Sequence, residues 1–145
     1  MKIRDNVSNQ ARADLYAGRR FERELVLTQA DFDKFAELSG DHNPIHVDPA
    51  YAAHSRFGAT VSHGMLLFSA VRVFVDSLCA DGRLQAQTLK FPAPAYADEP
   101  LRIELVSEGH ADAGVLELST RVLKTDGQLC LDGLCQVLPS TKDSR

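Results

Sequence analysis

Between Gly64 and Cys79 the chain carries one long apolar run, Met65 to Val75, that has no polar face. A helix at a protein surface shows an apolar stripe and a polar side, whereas this run is hydrophobic nearly all round and must be enclosed by other elements. At roughly 1.5 Å per residue it is too short for a hydrocarbon core of about 30 Å, and it carries Arg72 and Asp76 just where a lipid-facing helix would not. Burial inside protein is the solution that remains.

The enclosing material follows directly. Segments 84–91, 101–108, 115–124 and 128–138 read as strands, with period-2 alternation clearest at Leu101/Ile103/Leu105 and Leu116/Leu118/Thr120/Val122. The Asp126-Gly127 pair predicts one hairpin and Ala111-Asp112-Ala113-Gly114 another, so these strands form an antiparallel meander. Pro92 and Pro94 mark a kink or an edge after the first. Ahead of the apolar helix, 21–27 reads as a strand, and Thr28 followed by Asp31 predicts a capped helix that ends at Gly40. Pro44 forces a turn, and Asp48-Pro49 opens a brief helix through Tyr51, Ala52 and Ala53, closed by Arg56-Phe57-Gly58. The expected architecture is α+β: an antiparallel sheet curled around one greasy helix in a single domain, 1–145, with loose ends at 1–13 and 140–145.

A chain of 145 residues buries enough surface to fold without disulfides or a structural metal. Its net charge of −4 and the absence of a Lys/Arg-rich block argue against nucleic acid and against an anionic membrane surface as partners. The start lacks the apolar stretch of a signal peptide, which points to the cytoplasm. Cys79, Cys130 and Cys135 sit among apolar residues at no metal spacing and read as buried thiols; a Cys130–Cys135 disulfide is disfavoured because side chains five apart in a strand diverge.

Asp41 and His46 lie five apart across the Pro44 turn, and a carboxylate with an imidazole is a workable acid/base pair near neutral pH. The alternative is ordinary turn punctuation, with Asp41 and Asn43 bonding to nearby backbone. His42, His46, His54 and His63 invite a metal, but Pro44 removes the helical spacing and neither Cys nor Glu completes a ligand set, so none is expected. Ser62-His63-Gly64 opens the apolar helix, whose free N–H groups and positive dipole end suit an oxyanion, with Gly64 allowing close approach; alternatively Ser62 merely caps the helix. A Ser/His/Asp hydrolase lacks its Gly-x-Ser-x-Gly elbow.

The string Gly40-Asp41-His42-Asn43-Pro44-Ile45-His46, its flanks from Phe35 to Ala53, then Phe57-Gly58, Val61-Ser62-His63-Gly64-Met65 and 91–101, resembles the MaoC-like dehydratases, which include the (R)-specific enoyl-CoA hydratases. The resemblance covers roughly residues 18–138. It implies a hot-dog fold, usually a homodimer, that acts on acyl-CoA or a related acyl thioester with no metal or redox cofactor, coenzyme A entering only as part of the substrate. It places the catalytic carboxylate on Asp41, the catalytic imidazole on His46 and the backbone donor to the thioester carbonyl on Gly64. Asn43, which shapes the catalytic turn, and Phe57, Gly58, Ser62 and His63 fall around the substrate. The implied reaction is reversible addition of water to a trans-2-enoyl thioester, giving an (R)-3-hydroxyacyl thioester. A branched or carboxylated acyl group, a hot-dog thioesterase and a non-catalytic binding subunit are the rival readings. Two positions depart from the family pattern. Arg72 stands where a small polar residue is usual and is expected to pair with Asp76, and Ala97 replaces a glycine before Asp98.

Overall fold

The structure, a computed structural model, describes residues 1–5 and 15–140. Strand β1 (Lys2–Asp5) precedes β2 (Arg20–Val26), helices α1 (Gln29–Ser39), α2 (Pro44–Val47), α3 (Pro49–Ala53) and α4 (Gly64–Leu78), then β3 (Arg83–Gln87), β4 (Leu101–His110), β5 (Leu116–Lys124) and β6 (Leu129–Leu138). The strands form one antiparallel sheet in the order β1-β2-β4-β5-β6-β3. Helix α4 lies against β5 and β6, and Leu67, Val71, Phe74 and Val75 share its core with Ile103, Leu105, Leu118, Leu131 and Cys135. Full burial of a side chain such as Phe74 stabilises by about 1.5–3 kcal/mol. The sheet and its central helix make the hot-dog arrangement.

Both alternating sets anticipated on β4 and β5 are buried. The enclosure of α4 is less complete than its composition implies. Met65 and Val73 stay about half exposed, on the same stripe as exposed Ser69 and Asp76, so one chain leaves an apolar strip open. Among the described residues no helix is long and apolar enough to cross a membrane. The three cysteines are buried and form no disulfide, and burial pushes the pKa of Cys130 and Cys135 up to about 11.

Several local expectations change. Lys2–Asp5 is not loose; it pairs along β2, as an edge strand needs only backbone partners. The remainder of the expected loose ends, 6–13 and 141–145, lies outside the described residues. The first strand after α4 stops at Gln87 rather than Phe91, and beyond it the chain touches β6 only intermittently, with the N–H groups of Thr88, Lys90 and Ala93 donating to the carbonyls of Leu134, Asp132 and Leu129. That irregular path brings the Thr88 carbonyl so near Gly133 that a Cβ there could not fit. Leu38 points outward at 80% exposure, while Phe32 and Ala36 face the core. Helix α3 is capped at His54, before Arg56-Phe57-Gly58. Asp98, and not Ala97, holds the positive φ of 63° in its turn, which explains why alanine is tolerated before it.

Candidate active site

Local chemistry delivers Asp41 to its place. Thr28 and Asp31 form a reciprocal capping box that starts α1, and Gly40, at φ 82°, ends it by donating its N–H to Ala36. The chain then turns sharply. The Asp41 N–H donates to Ser39 Oγ (3.1 Å), the Asp41 carboxylate accepts the Asn43 N–H (3.2 Å), and Asn43 Oδ1 accepts the Ile45 N–H (3.1 Å). Asn43 thereby caps α2, a single turn begun by Pro44 where sequence alone indicates only a turn. His46 rides on that turn.

Tertiary contacts then orient the imidazole. His46 Nδ1 lies 2.8 Å from the Val61 carbonyl, which only accepts, so Nδ1 carries a proton and Nε2 is the ring nitrogen turned toward Asp41. Nε2 stands 3.7 Å from Asp41 Oδ2. The His46 side chain is 13% exposed and that of Asp41 54%, so the pair opens to solvent through the carboxylate. Gln29 braces the same turn from α1, donating to the His46 carbonyl (2.8 Å) and accepting from buried Thr60 (2.6 Å). Nothing local in the sequence marks Gln29, Thr60 or Val61 for this work.

His63 lies beneath the pair. Its ring stacks on His46 with centroids 3.8 Å apart and meets Phe35 at 4.9 Å. Its Nε2 is 3.0 Å from the Asp41 backbone carbonyl, and burial above all holds its pKa below the usual histidine value. Asp41, His46 and His63 bring one ligand atom each within 4.8 Å of one another, and His63 Nε2 is engaged with the Asp41 backbone carbonyl.

Gly64 is the first residue of α4, so its N–H has no acceptor within the helix. His63 is the N-cap, and Ser62 does not cap: its hydroxyl donates to the His63 carbonyl at 2.9 Å. Phe91 lies directly over Gly64, where an added Cβ would come 2.8 Å from Cζ of the ring. Gly64 and Phe91 border two hollows. One, of about 330 Å³, is lined by Phe35, Ser39, Asp41, His63 and Met65; the other, of about 260 Å³, by Arg56, Phe57, Ser62, Leu67 and Cys130 among others. Asp41, His46, His63 and Gly64 thus converge, and Phe57 and Ser62 line the adjoining hollow. Gly58, at φ 74°, shapes the turn after α3 and lines neither. Arg72 pairs with Asp76 at 2.9 Å, as its spacing on the helix indicates.

A carboxylate and an imidazole brought together beside a helix N-terminus, on a sheet packed against that helix, are the arrangement the resemblance to the MaoC-like dehydratases implies. Residues 11–126 match the family described as MaoC like domain. The chain belongs to that family. It is 34% identical over 107 residues to the (R)-specific enoyl-CoA hydratase of Aeromonas caviae, which is 72% of this chain and 80% of that protein. It is 45% identical over 96 residues to 3-hydroxyacyl-thioester dehydratase Z of Mycobacterium tuberculosis, covering 62% of this chain and 64% of the relative. Other matched relatives are much longer, and the chain spans as little as 5% of one. The solved (R)-hydratase of Aeromonas caviae superposes with a TM-score of 0.83 at 27% identity, covering 88% of this chain and 98% of that one.

Proposed function

We propose that this chain is one MaoC-like domain that adds water reversibly to a trans-2-enoyl thioester, most simply an enoyl-CoA, to give the (R)-3-hydroxyacyl thioester. The observation that carries this reading is the approach of Asp41 Oδ2 to His46 Nε2, 3.7 Å apart, beside the helix N-terminus at Gly64. Water bound to both acceptors attacks Cβ, and a proton passes from it to the pair. The π electrons of the double bond move toward the thioester carbonyl, and the resulting oxyanion meets the Gly64 N–H, one such donor being worth about 3–4 kcal/mol. The pair then returns one proton to Cα on the same face and ends as it began. Dehydration is the same path reversed.

The open strip of α4, with Met65 and Val73, supports a homodimer in which a second copy covers it. Cys79, Cys130 and Cys135, buried and outside any disulfide, support a reducing, cytoplasmic setting.

The test is crotonyl-CoA hydration, followed by loss of the conjugated thioester absorbance and by chiral analysis of the product. Formation of the (R)-3-hydroxy product supports the reading. Release of free thiol without hydration identifies a thioesterase instead.

A further inference from the structure

The side chain of His63 uses its polar edge on a catalytic residue's backbone. It is 2% exposed, and its Nε2 sits 3.0 Å from the Asp41 carbonyl. A carbonyl only accepts, so Nε2 carries the proton and Nδ1 is left as a bare acceptor, buried and without a hydrogen-bond partner among the described residues. A residue present only to fill space would avoid that unpaired acceptor, since an apolar ring of similar size packs there without one. The cost is explained if the single donor matters.

That donor acts where the geometry of the site is decided. Asp41 is held at three points, by His63 at its carbonyl, by Ser39 at its N–H and by Asn43 at its carboxylate, which leaves Oδ2 opposite His46. The same imidazole stacks on the His46 ring at 3.8 Å. Its backbone, as the N-cap of α4, leads directly into Gly64. One residue therefore touches both members of the acid/base pair and the segment that presents the oxyanion donor. Burial lowers the pKa of the ring below the usual histidine value and so favours its neutral form beside His46.

Resting on the hydratase reading above, we infer that His63 is a positioning residue, whose ring ties the Asp41–His46 pair to the start of α4 and fixes its distance from the Gly64 N–H. Two substitutions separate the donor from the bulk. His63→Phe keeps a stacked ring without a donor, and His63→Gln places an amide N–H near the position of Nε2 without the ring.

For His63→Phe we expect an unchanged melting temperature, KM for crotonyl-CoA within about threefold and kcat down by about tenfold, the loss that one neutral hydrogen bond accounts for. His63→Gln should regain most of that kcat. Full kcat in the Phe variant, equal losses in both, or losses that follow the fraction unfolded would overturn the inference. A second measurement does not depend on the reaction: long-range ¹⁵N NMR of the wild-type chain should show His63 protonated on Nε2 and His46 on Nδ1. A His63 protonated on Nδ1 overturns the inference even if hydration is normal. A wild-type chain that hydrates no enoyl thioester overturns the hydratase reading, while the tautomer result still decides the tie to Asp41.

Discussion

Asp41 Oδ2 and His46 Nε2 face each other at 3.7 Å across the Pro44 turn, too far for a direct hydrogen bond and right for two acceptors that share one water. That relationship makes the two side chains a unit. Asp41→Asn and His46→Ala should each lower kcat by about 10²-fold or more with the fold intact, because each removes one half of the acid/base function. The double variant should be little worse than the worse single one. Steady-state rates with circular dichroism on each protein check this, and near-normal turnover in either single variant refutes it.

Gly64 is expected to act through its backbone. Gly64→Val should reduce kcat/KM by about 10²-fold, as loss of one oxyanion donor does, while the melt stays close to wild type. The displaced atoms belong to the end of the half-exposed Phe91 side chain, which can swing aside. Adding Phe91→Ala relieves that clash, so activity that returns in the double variant assigns the damage to the ring and not to the oxyanion position.

The open strip on α4 predicts the oligomeric state. Light scattering should give twice the chain mass of 15.9 kDa, and Met65→Asp with Val73→Asp should give the monomer mass, since two carboxylates would be buried at the joint. A wild-type monomer at micromolar concentration contradicts the dimer.

His63 also makes stability depend on pH. Its pKa is lowered in the folded chain, chiefly by burial, so below the ordinary histidine value of 6.5 the unfolded chain binds a proton that the native one refuses. Stability contributed by this group is present above that value and is lost as pH falls through it. Urea melts at pH 7.5 and pH 5.5 should show a smaller difference for His63→Gln than for wild type; an identical difference excludes the effect.

Much of this was legible locally. The Thr28/Asp31 box, Gly40 and Pro44 each act within a few residues, and the alternation on β4 and β5 states which side is buried. Short elements were not legible: α2 is one turn, too brief for a helical period, and β1 is a polar segment whose pairing is supplied by β2. The site shows the same division. Asp41, His46 and Gly64 stand out because their chemistry is carried by residue type and by a motif.

The contacts that make them work connect His46 to Val61 across 15 residues, Gln29 to His46 across 17 and His63 to Asp41 across 22. By itself the sequence determined the longer elements, the strand faces and the candidate site residues, since propensity, capping and hydrophobic period are properties of neighbouring residues. Only the tertiary structure decided the His46 tautomer, the buried donor of His63 and the uncovered strip of α4, because each depends on which distant atoms the closed sheet brings within bonding distance.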